Sequence, residues 1–167
     1  MKLQISPNNW SCMPTAVAMA LDTDVDTVIR LCGHKGDALP WPPPFDKLRE
    51  GFHIHEIIDV VWLYFSKTMT PFIREPTVTP HDECPERGAV FVECDPEIRF
   101  IKRLWARQGI MTGVVGELGH AVAWDGHRIY DPRGYIYTYT EREKYRYDPD
   151  VFWMIGGPDG SASKILA

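Results

Sequence analysis

The sequence predicts an α+β domain built on an antiparallel sheet, and three observations point there. Segments with helical spacing dominate as far as Gln108, and segments with strand character dominate from Ile110 onward. An Asp-Gly pair, Asp125-Gly126, stands between two apolar runs and signals a tight hairpin. No segment repeats, so a solenoid or propeller is not expected. At 167 residues the chain is of a size that buries one core, expected over residues 1–155, with a turn-rich tail over 156–167.

The first element, residues 12–21 (CMPTAVAMAL), is small and apolar with Pro14 near its start, where a missing N–H costs nothing. It reads as a buried helix that begins at or just after Cys12. Asp22 to Asp26 then supply carboxylates and a threonine ahead of Val28, Ile29 and Leu31, and Gly33 stops a short second helix. Pro40-Trp41-Pro42-Pro43-Pro44 is neither helix nor central strand and reads as an extended loop. Residues 53–67 carry Ile54, Ile57, Ile58, Val61, Tyr64 and Phe65 at spacings of three and four, which predicts an amphipathic helix.

Residues 69–87 are broken by prolines and acidic turns and read as loop; residues 89–94 (AVFVEC) read as a strand. A helix is expected over 97–108, ended by Gly109, with Ile98, Ile101, Leu104 and Trp105 on one face. Strands are expected over 110–115, 120–124, 127–130, 135–140 and 151–155. Tyr135, Tyr137 and Tyr139 alternate onto one face and read as packing residues.

Charge and composition narrow the function. The formal charge is -5, and the 18 Lys and Arg are scattered among 23 Asp and Glu without a basic block, which argues against nucleic acid as a partner. No apolar run approaches the ~20 residues of a membrane span. The amino terminus lacks the apolar core of a secretory signal, so a cytoplasmic location is expected, and Cys12, Cys32, Cys84 and Cys94 are expected to be reduced thiols. His81 with Cys84 and Cys94, or Cys32 with His34, lack the paired knuckles of a zinc site, so no metal or cofactor is expected. The oligomeric state is left open.

Two features carry chemistry. Cys12 stands at a helix start, where free N–H groups and the helix dipole favour a thiolate. An Asp125-Gly126 turn would pair Trp124 with His127 and Val122 with Ile129, and hence set His120 directly opposite Asp131. A carboxylate on one ring nitrogen orients the imidazole and leaves the other to take a proton from a thiol. His127, near the turn, is expected to be exposed. Asp131→Asn is expected to keep the hairpin while removing the charge.

Gln4, the run Asn8-Asn9-Trp10-Ser11-Cys12-Met13-Pro14-Thr15-Ala16-Val17-Ala18-Met19-Ala20-Leu21, and the segments Gly119-His120-Ala121-Val122 and Tyr130-Asp131-Pro132-Arg133-Gly134 together resemble papain-like cysteine peptidases. The likeness is to the branch of bacteriocin-processing leader peptidases, and it leaves the middle of the chain unassigned. It implies a papain-like fold in which a helical half led by the Cys12 helix packs on an antiparallel sheet. It further implies Cys12 as nucleophile, His120 as general base and acid, Asp131 as orienter and Gln4 as oxyanion donor; Asn8 and Asn9 offer competing amides. Met13 stands where that branch usually has glycine. Trp10 is expected in the core in preference to covering the site.

The expected activity is hydrolysis of a peptide or isopeptide bond through a thioester, on a protein or peptide substrate. Transfer of the acyl group to an amine, or a silent papain-like binding or inhibitory module, are the alternatives. The compact size suits a small accessory or phage-type enzyme.

Overall fold

The computed structural model of the chain describes residues 1–37, 50–74, 96–105 and 107–157. The proline-rich run at 40–44, the strand expected over 89–94, His81, Cys84, Cys94 and the tail from 158 lie outside the described residues. Within them stand four α-helices, one 3-10 helix and a six-stranded antiparallel sheet.

Helix α1, Cys12–Leu21, is apolar around its whole circumference, and such a helix has to be buried. Ala16, Val17, Ala18 and Met19 have no exposed surface. Asp22 ends it in the left-handed conformation, φ 56°, with its N–H turned back to Ala18 and Met19. Helix α2, Val25–Cys32, starts on Asp24, whose carboxylate accepts from the Thr27 N–H at 2.8 Å, and stops at Gly33, φ 79°. Helix α3, Ile54–Phe65, buries Ile57, Val60 and Val61.

Strand β1, Thr68–Ile73, corrects the reading of residues 69–87 as loop at its first part. Pro71 hid it, because proline is compatible with a strand only where a ladder bond can be spared. β1 is such a place: among the described residues it is an edge strand, paired only with β6, from Thr68 opposite Gly156 to Ile73 opposite Val151. Helix α4, Pro96–Leu104, is shorter than expected, and Gly109 opens β2, Gly109–Val115, instead of closing the helix. β3 is Leu118–Trp124, β4 Ile129–Asp131 and β5 Tyr135–Tyr137. A 3-10 helix, Tyr139–Tyr145, replaces the expected end of β5 and leads into β6, Tyr147–Gly156.

Strand order is β1-β6-β2-β3-β4-β5. The period-two alternation divides the core cleanly. Ile110, Ala121 and Ala123 face α1, α2 and α3, and the small side chains of β3 let the alanine-rich α1 come close. Met111, Val122, Trp124, Ile129 and Phe152 face the opposite way, toward Phe100 and Leu104 of α4 and Tyr139 of the 3-10 helix. No helix among the described residues is long and apolar enough to cross a membrane.

Candidate active site

Cys12 is the first residue of α1, and no side chain caps that helix start. Its leading N–H groups are therefore available to an anion in front of it. His120 lies on β3 past the last β3–β4 pair, since that ladder joins only Ala123 with Tyr130 and Trp124 with Ile129. The expected pairing is thus corrected. The turn has moved by one residue, with Gly126 (φ 102°) and His127 at its tip and the Asp125 N–H donating to the Arg128 carbonyl.

The cause is the Asp125 side chain. Its Oδ1 accepts from the N–H groups of both His127 and Arg128, at 2.8 and 2.7 Å, which places it before the corner and not within it. Moving the turn by one residue slides the register by two, and a two-residue slide keeps every side chain on its face. Asp131 consequently becomes a diagonal neighbour of His120, and the two still meet: His120 Nε2 donates to Asp131 Oδ1 at 2.9 Å. His127 is exposed.

The bond to Asp131 fixes Nε2 as a donor and leaves Nδ1 to serve the thiol. Burial by itself would push the His120 pKa down, but the hydrogen bonds to Asp131 and Cys12 and their negative charge outweigh it and raise it to about 9. Asp131 is fully buried, which favours its neutral form; hydrogen bonds from His120 and Arg133 overcome this and hold it far below the ordinary carboxylate range. The site therefore favours an imidazolium next to a carboxylate over a wide range of pH.

The open surface around the pair consists of two cavities that share Asn9, Cys12, Leu118, Gly119 and His120. One, of about 430 Å³, extends past Ile5, Asn8, Val115 and Arg133. The other, of about 560 Å³, extends past Trp10, Met13, Glu50, Phe52 and Glu117. Gly113, opposite His120 in the β2–β3 ladder, borders the second, and a Cβ there would meet the Asp148 carbonyl at 2.1 Å. Trp10 is half-buried on the cavity wall with its indole N–H donating to the Lys35 carbonyl at 3.1 Å, so it lines the site and is not part of the core.

Gln4 is not brought to the site. Its Nε2 donates to the Thr23 carbonyl at 2.6 Å and its Oε1 accepts from the Val25 N–H at 3.1 Å, so the amide staples the α1–α2 connection at the far end of the helix from Cys12. The amides that border the cavities are those of Asn8 and Asn9. Reasoning from sequence also missed Arg133 and Tyr137, both of which donate to Asp131. The Asp-Pro-Arg-Gly turn was the available signal for Arg133, whereas alternation marked Tyr137 only as a packing residue.

Stability should follow the His120 proton. A histidine raised to about 9 in the fold from an ordinary value of ~6.5 stabilises fully below pH ~6.5 and loses that contribution as the pH rises through 9. Asp131, depressed in the fold, contributes above its ordinary value and loses this as the pH falls below it. The thermal midpoint should thus decline between pH 6.5 and 9, and His120→Gln should flatten that slope. A wild-type midpoint that is level across this window would show that His120 is not held as an imidazolium.

No protein-family model matches the chain, and no curated protein or solved structure matches it either.

Proposed function

We propose that the chain is a cysteine-dependent hydrolase of papain-like organisation that cleaves a peptide or isopeptide bond. The observation that carries the reading is the His120–Asp131 pair, with Nε2 tied to the buried carboxylate, in the wall of an open cleft that Cys12 lines as well and where Cys12 helps raise the imidazole pKa. Cavities on both sides of the thiol suit an extended chain lying across it better than a small compact molecule.

In the proposed cycle, Cys12, having passed its proton to His120, attacks the scissile carbonyl as a thiolate, and the carbonyl π electrons move onto the oxygen. That oxyanion is met by the Cys12 N–H at the helix start and by a cleft amide, Asn9 being the one that borders both cavities. The tetrahedral adduct collapses to a thioester as His120 gives its proton to the departing amine. Water, deprotonated by His120, then attacks the thioester; the carboxylic acid leaves, and the sulfur departs as a thiolate beside the re-formed His120 imidazolium. Met13 borders the cleft next to Cys12 and is the feature that favours the alternative of a silent binding module. An acid-quenched acyl-enzyme, detected by intact-mass spectrometry after incubation with a peptide library, supports the hydrolase; none with any peptide favours the binding module.

Thiol reactivity separates the readings without a substrate. Burial and the nearby Glu56 push the Cys32 thiol up to about 11, so almost none of it is thiolate at neutral pH. Cys12 faces an imidazolium and free helix N–H groups instead. Brief iodoacetamide treatment at pH 7, read by peptide mass spectrometry, should label Cys12 well ahead of Cys32. Equal rates would count against an activated nucleophile.

A further inference from the structure

We propose that Arg133 is a positioning residue for His120: it gives Asp131 a permanent counter-ion and holds that carboxylate in the orientation that receives the imidazole. Its kinetic consequence rests on the cysteine-hydrolase reading, whereas its geometry does not.

Asp131 has no exposed surface, yet it accepts from three residues. Arg133 Nε lies 3.1 Å from Oδ1 and 3.0 Å from Oδ2, and Nη2 lies 2.7 Å from Oδ2. The Arg133 backbone N–H donates to Oδ1 at 2.9 Å, and the Tyr137 hydroxyl to Oδ2 at 3.0 Å. These donors hold the carboxylate in one orientation, in which Oδ1 also receives His120 Nε2 at 2.9 Å. The turn makes this possible. Pro132 forms its first corner, Gly134 takes φ 98° and returns its N–H to the Asp131 carbonyl at 2.9 Å, and the Arg133 side chain folds back onto the residue two places before it.

The imidazole has two charge states, and Asp131 needs a partner in both. When His120 releases its proton, a carboxylate paired with it alone would be left as an uncompensated buried anion, a costly state that would hold the proton back. A guanidinium stays charged at every working pH, so Asp131 keeps a partner in both states. Arg133 thereby makes His120 a readier proton donor than an isolated His–Asp pair would be. The groups that face His120 are Cys12 from α1, Asp131 from β4 and the Tyr147 ring from β6, T-shaped to the imidazole with centroids 5.9 Å apart, with Arg133 and Tyr137 behind Asp131. Burial pushes both tyrosines above their ordinary value, so neither competes for the assignment.

The test is the titration midpoint of the His120 imidazole, read by long-range proton–nitrogen NMR on the full chain for wild type, Arg133→Gln and Arg133→Lys, with thermal unfolding as a check of fold. Glutamine keeps a donor but removes the charge and should raise the midpoint by about one pH unit. Lysine restores the charge and should bring it back near the wild-type value, while kcat falls with KM little changed because the two-point clamp is lost. An unmoved midpoint in a folded Arg133→Gln protein overturns the proposal and leaves the arginine as a tether of the turn to the Tyr145 carbonyl, to which Nη2 donates at 3.1 Å. If the glutamine variant does not fold, Arg133→Lys decides, and an unchanged kcat there overturns the proposal. Absence of turnover in wild type would sink the hydrolase reading, while the midpoint would still report on Arg133.

Discussion

Cys12→Ala is expected to abolish the acyl-enzyme and lower turnover by on the order of 10⁴-fold or more, with the fold retained. The residue contributes little to the core: it sits half-buried at the first position of α1, while the fully buried surface of that helix begins further on. The same change should bring the His120 midpoint down from about 9, because the thiol is one of the groups that raises it. The two effects are read separately, by peptide cleavage and by NMR. Turnover that survives in Cys12→Ala would end the covalent mechanism, and a His120 midpoint that does not move would mean that the two side chains are not in communication.

Asp131→Asn should remove both rate and stability, which revises the expectation from sequence that this change would spare the fold. The carboxylate is the counter-ion of Arg133 as well as of His120. An asparagine amide directs its own N–H groups toward donors and leaves the guanidinium without an anion. We expect the rate to fall by on the order of 10²–10⁴-fold. The stability loss should be about 3 kcal/mol, the lower end for a broken buried pair because the Arg133 side chain is 32% exposed. Combining Asp131→Asn with Arg133→Met removes the orphaned cation, so the double variant should recover part of the thermal midpoint and none of the activity. Full recovery of activity in the double variant would deny Asp131 a role in orienting His120.

The extent to which sequence alone revealed the site differs from residue to residue. Cys12 was legible as a helix start because such starts have local signatures: a small apolar run with a proline in its first turn is written within the ten residues of α1. His120 and Asp131 were legible as partners through alternation, although through the wrong register, and the error was harmless only because a slide of two preserves the face. Gln4 was misassigned for the opposite reason. An amide has no face or period to be read, and its partners Thr23 and Val25 are nineteen and twenty-one residues away. β1 was hidden because its strand character comes from an edge position beside β6, which no local pattern records.

The sequence by itself determined the antiparallel character of the second half, the residue types of the candidate site and the α-helices, though not the 3-10 helix, since period, caps and turn chemistry act over a few neighbours. Only the tertiary structure decided how those residues meet. By alternation His120 belongs to the sheet face that carries Val122 and Trp124, whereas Cys12 opens the helix on the opposite face. They line the same cavities, with His120 where β3 runs beyond its last pair with β4 and α1 packed on β3. Small side chains set that position: the alanines of α1 share one buried cluster with Ala121 and Ala123, which lets helix and strand approach closely, and Cys12 and His120 border the same cavities.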